Sequence, residues 1–365
     1  MPKPRASLKS LIMAPNIYYI SDMPFALGFG GKEVQLLGYK SIIEKTCPQY
    51  KLNLLDPWDK FLFPKNSILH LFGSGKWFHN LLGQAEQKSE IRKLIISPTF
   101  YYDNVWKLKV GNFLSRFTPF EDQFSYKRYI FDAVDTLIVN SNAEGIQIAS
   151  VFGEKLKNKM LVIPNTIDDN YTTIKDEESF LSKYQLSPGY VLSVGFWDER
   201  KNSIRMVQSF LQSLRHINRK LVLIGGGRFV NKRNGDLMNK LLAENASSIV
   251  HIPFISNGSD ILKSAYKNCA FHLLPSFVET PGIANIEALS FGKAIVVGEC
   301  SPVREYFKQF AFYCEPTSTE SISKAILIAN GEIDSLSIDI SKKAYVEDNF
   351  THGAIAEKLK SLYLS

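Results

Sequence analysis

The feature that most narrows the fold is a repeated alternation. Short apolar runs are separated by longer amphipathic stretches, and the pattern restarts once, near residue 170. In the first half the runs at 10–13, 51–54, 67–72, 93–96, 136–139 and 160–163 read as strands, with helix-like segments between several of them, for example at 34–45 and 143–151. After a loose polar stretch at 168–178 come strands at 190–194, 221–224, 249–252, 270–274 and 294–297, with helices at 203–214, 260–267, 284–291 and 319–330. Strand, helix, strand in succession predicts a parallel sheet covered on both faces. The expectation is an α/β chain of two doubly wound, Rossmann-like domains facing a cleft, over 1–170 and 171–344, with a terminal helix at about 345–365 that can pack back on the first. A length of 365 residues suits two domains of ordinary size. Ligands of such folds bind at the carboxyl ends of the strands, so function is sought in the loops that follow strands.

Composition removes several alternatives. With 45% hydrophobic and 22% charged residues, the chain can fill two cores and is not expected to be disordered over any long stretch. No run reaches the roughly 18 apolar residues of a spanning helix, and the apolar stretch 11–14 is too short for a secretory signal. The four cysteines, Cys47, Cys269, Cys300 and Cys314, make no CxxC pair and no zinc-like Cys/His cluster. Cys269 sits in an apolar run and reads as a core thiol. Reduced cysteines fit a cytoplasmic protein. Net charge is +7, and 21 Lys/Arg against 16 Asp/Glu fall in residues 1–170. A basic surface suits an anionic membrane, a nucleic acid or a charged small molecule, and is otherwise simply solvated.

The most informative stretch is Pro275-Ser276-Phe277-Val278-Glu279-Thr280-Pro281-Gly282-Ile283-Ala284-Asn285-Ile286-Glu287-Ala288-Leu289. It begins where an apolar strand ends and runs through Pro281-Gly282 into a helix. Glu279 lies in the loop at the mouth of the strand. Gly282 and Ile283 fall at the helix start, where backbone N–H groups lack internal partners and can receive phosphate oxygens. Glu287 lies about one turn inside the helix, and a carboxylate can accept hydrogen bonds from neighbouring ribose hydroxyls. The bland alternative is a carboxylate pair that suits the helix dipole.

This stretch resembles the Glu-x7-Glu signature of the retaining glycosyltransferases of family 4, the glycosyl transferases group 1, which share the two-domain GT-B fold. The resemblance implies that Glu279 touches the donor sugar, that Glu287 holds the ribose, and that Pro281, Gly282 and Ile283 meet the diphosphate. It implies a nucleotide-sugar substrate such as a UDP- or GDP-sugar, with no cofactor. Gly195 ends a strand and leads into Arg200 and Lys201, adjacent cations that suit a departing diphosphate. Lys201 matches the family lysine. Phe196 stands where the family usually has arginine, and Arg200 can supply the guanidinium. Gly225 opens a Gly-Gly-Gly strand end that resembles the family's glycine-rich strand end near the donor, and the loop with Phe254 and Ile255 resembles the one whose backbone reads the base. Gly30 and Gly31 resemble the loop that faces the donor phosphates. Glu305 resembles a family glutamate and reads as structural.

On the acceptor side, His70 ends a strand where the family often has histidine and is a candidate catalytic residue. The second family histidine is missing near 95–102, so its contact falls to Thr99, Tyr101 or a backbone group. Phe100, Tyr101, Tyr102 and Trp106 form either an acceptor platform or ordinary core. There is no Asp-x-Asp motif, so metal-independent transfer is expected. A glycan or lipid-linked acceptor, bacterial surface polysaccharide or glycoconjugate synthesis, and peripheral contact with the inner membrane face complete the expectation, without a nucleic-acid partner. The alternatives are a sugar-nucleotide epimerase of this fold or a degenerate GT-B scaffold or partner subunit.

Overall fold

The computed structural model describes residues 16–25, 30–55, 63–83, 91–175, 179–280, 282–332 and 339–364. The first half holds strands β1 (Asn16–Ser21), β2 (Lys51–Leu54), β3 (Ser67–Phe72), β4 (Ile91–Ser97), β5 (Thr136–Val139) and β6 (Met160–Val162). They form one parallel sheet in the order β2-β1-β3-β4-β5-β6. The second half holds β7 (Tyr190–Val194), β8 (Leu221–Ile224), β9 (Ile249–Ile252), β10 (Cys269–Leu274), β11 (Ala294–Gly298) and β12 (Ala311–Cys314), parallel throughout in the order β12-β11-β10-β7-β8-β9. This is the two-sheet α/β arrangement of the GT-B fold.

The central strands show why the chain folds this way. Every residue of β3, β10 and β11 is buried. Their near-continuous apolar sequences suit a sheet with helices on both faces rather than one with a wet face. The strand expected at 10–13 lies outside the described residues. The sequence reading passed over β1, whose two tyrosines dilute its apolar signal, and β12, a short run on a sheet edge.

Four apolar clusters, one on each face of each sheet, fill the interior. The helix His352–Leu364 belongs to the first half's clusters, since Ile355, Leu359, Leu362 and Tyr363 pack with Leu36, Tyr39 and Ile43 of the helix Gly31–Thr46. The halves are also stitched directly. Tyr306 Oη donates to Asn140 O (2.7 Å) and accepts from Asn165 N (3.0 Å). Glu305 accepts from Asn142 N (2.8 Å) and Ala143 N (3.0 Å), capping the helix Asn142–Phe152 from across the junction. No helix among the described residues is long and apolar enough to cross a membrane.

Candidate active site

In each sheet the strand order reverses at one crevice, and in open α/β sheets that crevice, at the carboxyl ends, is where ligands bind. In the second sheet it lies between β7 and β10. The loop after β7 carries Arg200 and Lys201, and the loop after β10 carries Glu279. The topology therefore brings together residues 78 positions apart. Lys201 Nζ bonds Glu279 Oε2 directly, Arg200 Nη1 lies 3.6 Å from Oε1, and Ser276 Oγ donates to Oε2 at 3.1 Å. The loops are tied further by Phe277 N donating to Arg200 O (3.0 Å) and by the Arg200 side chain, whose Nη1 donates to Val278 O (3.1 Å).

Glu279 is buried. Burial alone pushes its carboxyl up, but the charges of Lys201 and Arg200 and the bonds from Lys201 and Ser276 outweigh that and hold it below the usual carboxylate range. It is an anion pinned under two cations, one of them half exposed.

The helix Ile283–Ser290 starts against this cluster. Gly282 has φ +86, and a Cβ there would stand 3.0 Å from Glu279 Cγ, so only glycine lets the helix start close on the carboxylate. Pro281 lies outside the described residues. One residue that sequence reasoning missed holds the helix start in place. His272, on β10, is fully buried, with Nδ1 2.9 Å from Asn285 Oδ1 and Nε2 accepting from Val194 N at 3.2 Å. That pattern puts the ring proton on Nδ1. Burial, with Lys201 nearby, drops its pKa to about 4 despite the bond to Asn285, so the ring is neutral. The signal was present as a histidine in an otherwise apolar strand, but the run was read as core.

Glu287 is in the same helix but faces the interior. Its Oε2 accepts from Tyr266 Oη at 2.6 Å, and burial raises its pKa against the pull of the Tyr266 and Tyr171 hydroxyls. It is not part of the Lys201–Glu279 cluster. Gly195 and Gly225 stand at the ends of β7 and β8, where Gly195 N donates to Ile224 O and Gly225 N to Ile252 O, both at 2.9 Å. Phe254 is exposed and Ile255 partly buried, in the loop after the edge strand β9. Phe196, in the expected arginine position, carries a guanidinium on its face, with Arg228 Cζ 3.4 Å from the ring centroid. Arg228 comes from the glycine-rich loop after β8 and was not anticipated.

The first sheet reverses between β1 and β3. Here Lys32 bonds Asp22 and lies 3.2 Å from Glu33 Oε1, while Asp22 Oδ2 accepts from Ser74 N (3.0 Å) and Glu33 Oε2 from Gly30 N (2.9 Å). Gly73 has φ +100, and a Cβ there would lie 2.1 Å from Asp22 Oδ2. Gly31 faces the other half, where a Cβ would stand 3.7 Å from Ile283 Cδ1. The two crevices therefore open toward one another.

His70 does not join either cluster. It is fully buried in β3, with Nε2 2.9 Å from Ser97 Oγ, Nδ1 bonded to Tyr363 Oη and its ring stacked on Phe72, and burial holds its pKa well below the ordinary value. Both ring nitrogens are engaged in the scaffold. Thr99 follows β4, is exposed, and adopts φ +52, an unusual conformation for a β-branched residue. Tyr101 reaches Ser301 of the second half, and Tyr102 is exposed beside Phe100. Glu144 fixes this loop by accepting from Phe100 N and Asn140 N (2.7 Å), and burial lifts its carboxyl to about 7. Cys269 is a core thiol, pushed by burial up to about 12. Among the described residues no group of three or more His, Cys, Asp or Glu side chains is placed to hold a metal.

Residues 175–334 match the family model of the glycosyl transferases group 1. The match takes in the whole second sheet, with Lys201, Glu279 and Glu287. No curated protein sequence matches the chain. Solved structures resemble it over nearly its full length. Sucrose-phosphate synthase from Thermosynechococcus elongatus superposes with a TM-score of 0.74 at 14% identity, covering 96% of this chain and 98% of that one. HepE from Anabaena, in complex with UDP and glucose, gives 0.66 at 16% identity over 95% and 99%. A UDP-forming trehalose-phosphate synthase from Burkholderia vietnamiensis gives 0.71 at 9% over 96% and 97%. At these identities the likeness is one of fold.

Proposed function

We propose that the chain transfers a hexose from a nucleoside-diphosphate sugar to an acceptor hydroxyl with retention of anomeric configuration, without a divalent metal. The observation that carries this reading is the convergence of Lys201 and Arg200 on buried Glu279, beside the start of the helix Ile283–Ser290. A diphosphate gains charge as its bond to the sugar breaks. Two cations and free helix N–H groups, fixed in advance, stabilise that charge without reorganising. The family match over this half and the UDP and glucose bound by HepE agree with such a donor.

In this mechanism the donor occupies residues 171–344 and the acceptor residues 1–170. Glu279 contacts the sugar, Gly282 and Ile283 contact the diphosphate, and Lys201 and Arg200 take its charge. Arg228, held on Phe196, supplies the cation that the resemblance expects at position 196. Glu287 binds ribose while Tyr266 retains its bond to Oε2. The acceptor hydroxyl attacks from the leaving-group face, and the departing phosphate takes its proton. Gly30 and Gly31 orient the phosphates, and Thr99, Tyr101 and Tyr102 line the acceptor side. Assembly of a bacterial surface polysaccharide or glycoconjugate is the role proposed for it.

A thermal-shift panel of UDP, GDP and ADP with their sugars tests donor binding, since a ligand that binds only the folded state raises Tm by mass action. One base series is expected to stabilise the wild type, and Glu279→Ala to fold yet lose transfer. A panel in which nothing shifts Tm, or a Glu279→Ala variant with unchanged turnover, would overturn the proposal.

A further inference from the structure

The helix Val105–Leu114 and the turn after it are apolar on two sides. On the inner side, Val105 and Leu108 pack on the first half's core, Asn112 Nδ2 donates to Val151 O at 2.6 Å, and the Phe124 ring closes over Gly111. The segment is therefore firmly seated. On the outer side, Trp106 is 73% exposed and Phe120 79%, with Phe113, Leu114 and Phe117 all more than half exposed. Trp106, Phe113 and Phe117 are spaced to lie along one stripe of the helix and its continuation, and the Phe113 and Phe117 rings meet at 5.1 Å. Five large apolar side chains gathered on one face and left in water mark a contact surface.

The charges beside it identify the partner. Residues 104–120 contain Lys107, Lys109 and Arg116 and no Asp or Glu. All three cations are exposed, and none makes an ion pair among the described residues. Of the flanking acids, Glu121 is held by Lys76 at 2.7 Å and Asp122 caps the helix Gln123–Ala133, which leaves exposed Asp103 against the three cations. Aromatic side chains interleaved with unpaired cations on a short seated helix match the polar–apolar boundary of an anionic bilayer. A second copy fits less well, because a two-fold contact would set the three cations against their own copies.

We propose that this face docks the protein on an anionic lipid leaflet. The helix begins a few residues after β4, at the carboxyl end of the first sheet, and the intervening loop carries Thr99, Tyr101 and Tyr102. Docking there brings the acceptor side of the cleft to the lipid surface, so that a lipid-linked hydroxyl enters without leaving the bilayer. The docking rests on the surface alone, and only its meaning for the acceptor rests on the transferase reading.

The test is co-sedimentation of the full chain with phosphatidylcholine vesicles, with and without phosphatidylglycerol. Three cations near an anionic surface are expected to favour the mixed vesicles on the order of 100-fold. The Trp106→Ser/Phe117→Ser/Phe120→Ser variant is expected to stay in the supernatant, and Lys107→Gln/Lys109→Gln/Arg116→Gln to lose the preference for phosphatidylglycerol. Both are expected to keep the wild-type Tm and its shift with nucleotide, measured without vesicles. Wild-type protein that stays in solution with anionic vesicles, or an aromatic variant that sediments like wild type, would overturn the docking. So would a concentration-dependent wild-type dimer that the aromatic variant abolishes, since a second copy would then cover the face. Failure of the nucleotide shift would count only against the transferase reading.

Discussion

β3 and β10 each lie beside the strand that opens their half, and each carries a histidine at its fourth residue. Both rings are fully buried, and burial keeps both neutral. They differ in what they hold. His70 is bonded to Ser97 and to Tyr363 of the closing helix, and so belongs to the scaffold. His272 is bonded to Asn285, in the first turn of the helix that starts beside Glu279, and so holds that helix start through its neighbour. The neighbouring ion clusters differ in the same way. The first half sets one cation, Lys32, against Asp22 and Glu33, while the second sets Lys201 and Arg200 against Glu279 alone. The second arrangement leaves a cation in excess over its carboxylate, and the first leaves a carboxylate in excess over its cation.

The sharpest way to break this contrast is at the glycines. Gly73→Ala forces both a positive φ and a clash with Asp22, and is expected to cost about 3 kcal/mol in urea unfolding while leaving the nucleotide affinity of the folded protein unchanged. Next comes Lys201→Met. Losing a charge-assisted contact of about 2 kcal/mol should weaken nucleotide binding by about 30-fold in calorimetry. Lys32→Met should change it by less than about threefold if the first cluster is scaffold. His70→Phe and His272→Phe are each expected to lose about 1–2 kcal/mol of stability from broken buried hydrogen bonds. Only His272→Phe should also lower nucleotide affinity, and equal affinities would erase the distinction.

The smallest effect is in pH. His272 has a folded pKa near 4 against about 6.5 unfolded, so as pH falls the unfolded chain takes the proton first. Stability present above pH 6.5 is then lost progressively down through pH 4, by about 1 kcal/mol at pH 5.5. His272→Phe should show a shallower decline of Tm over that window than wild type, and parallel curves would contradict a neutral buried ring.

Most of the architecture was legible in the sequence because parallel strands buried on both faces leave continuous apolar runs, and ten of the twelve observed strands lay at or near such runs, the exceptions being the short edge strand β12 and the tyrosine-diluted β1. The Lys201–Glu279 pairing was legible only through a resemblance, since nothing in local spacing says that loops so far apart share a crevice. His272 and Arg228 were missed for related reasons. A histidine within an apolar run carries no mark of its partner, and a cation on an aromatic ring is a contact between two loops. His70 was the reverse case, a histidine expected at a strand end but set within β3, whose engagement by Tyr363 depends on a helix nearly 300 residues away.

The Tyr19–Tyr363 hydroxyl contact, 2.9 Å, joins residues 344 positions apart. Because the layer that covers the first sheet includes side chains from 355 to 363, a ribosome must deliver nearly the whole polypeptide before the earliest-made strands are sealed. Until then only the helix Gly31–Thr46 covers that face, so folding during synthesis cannot complete the first half before the second is made.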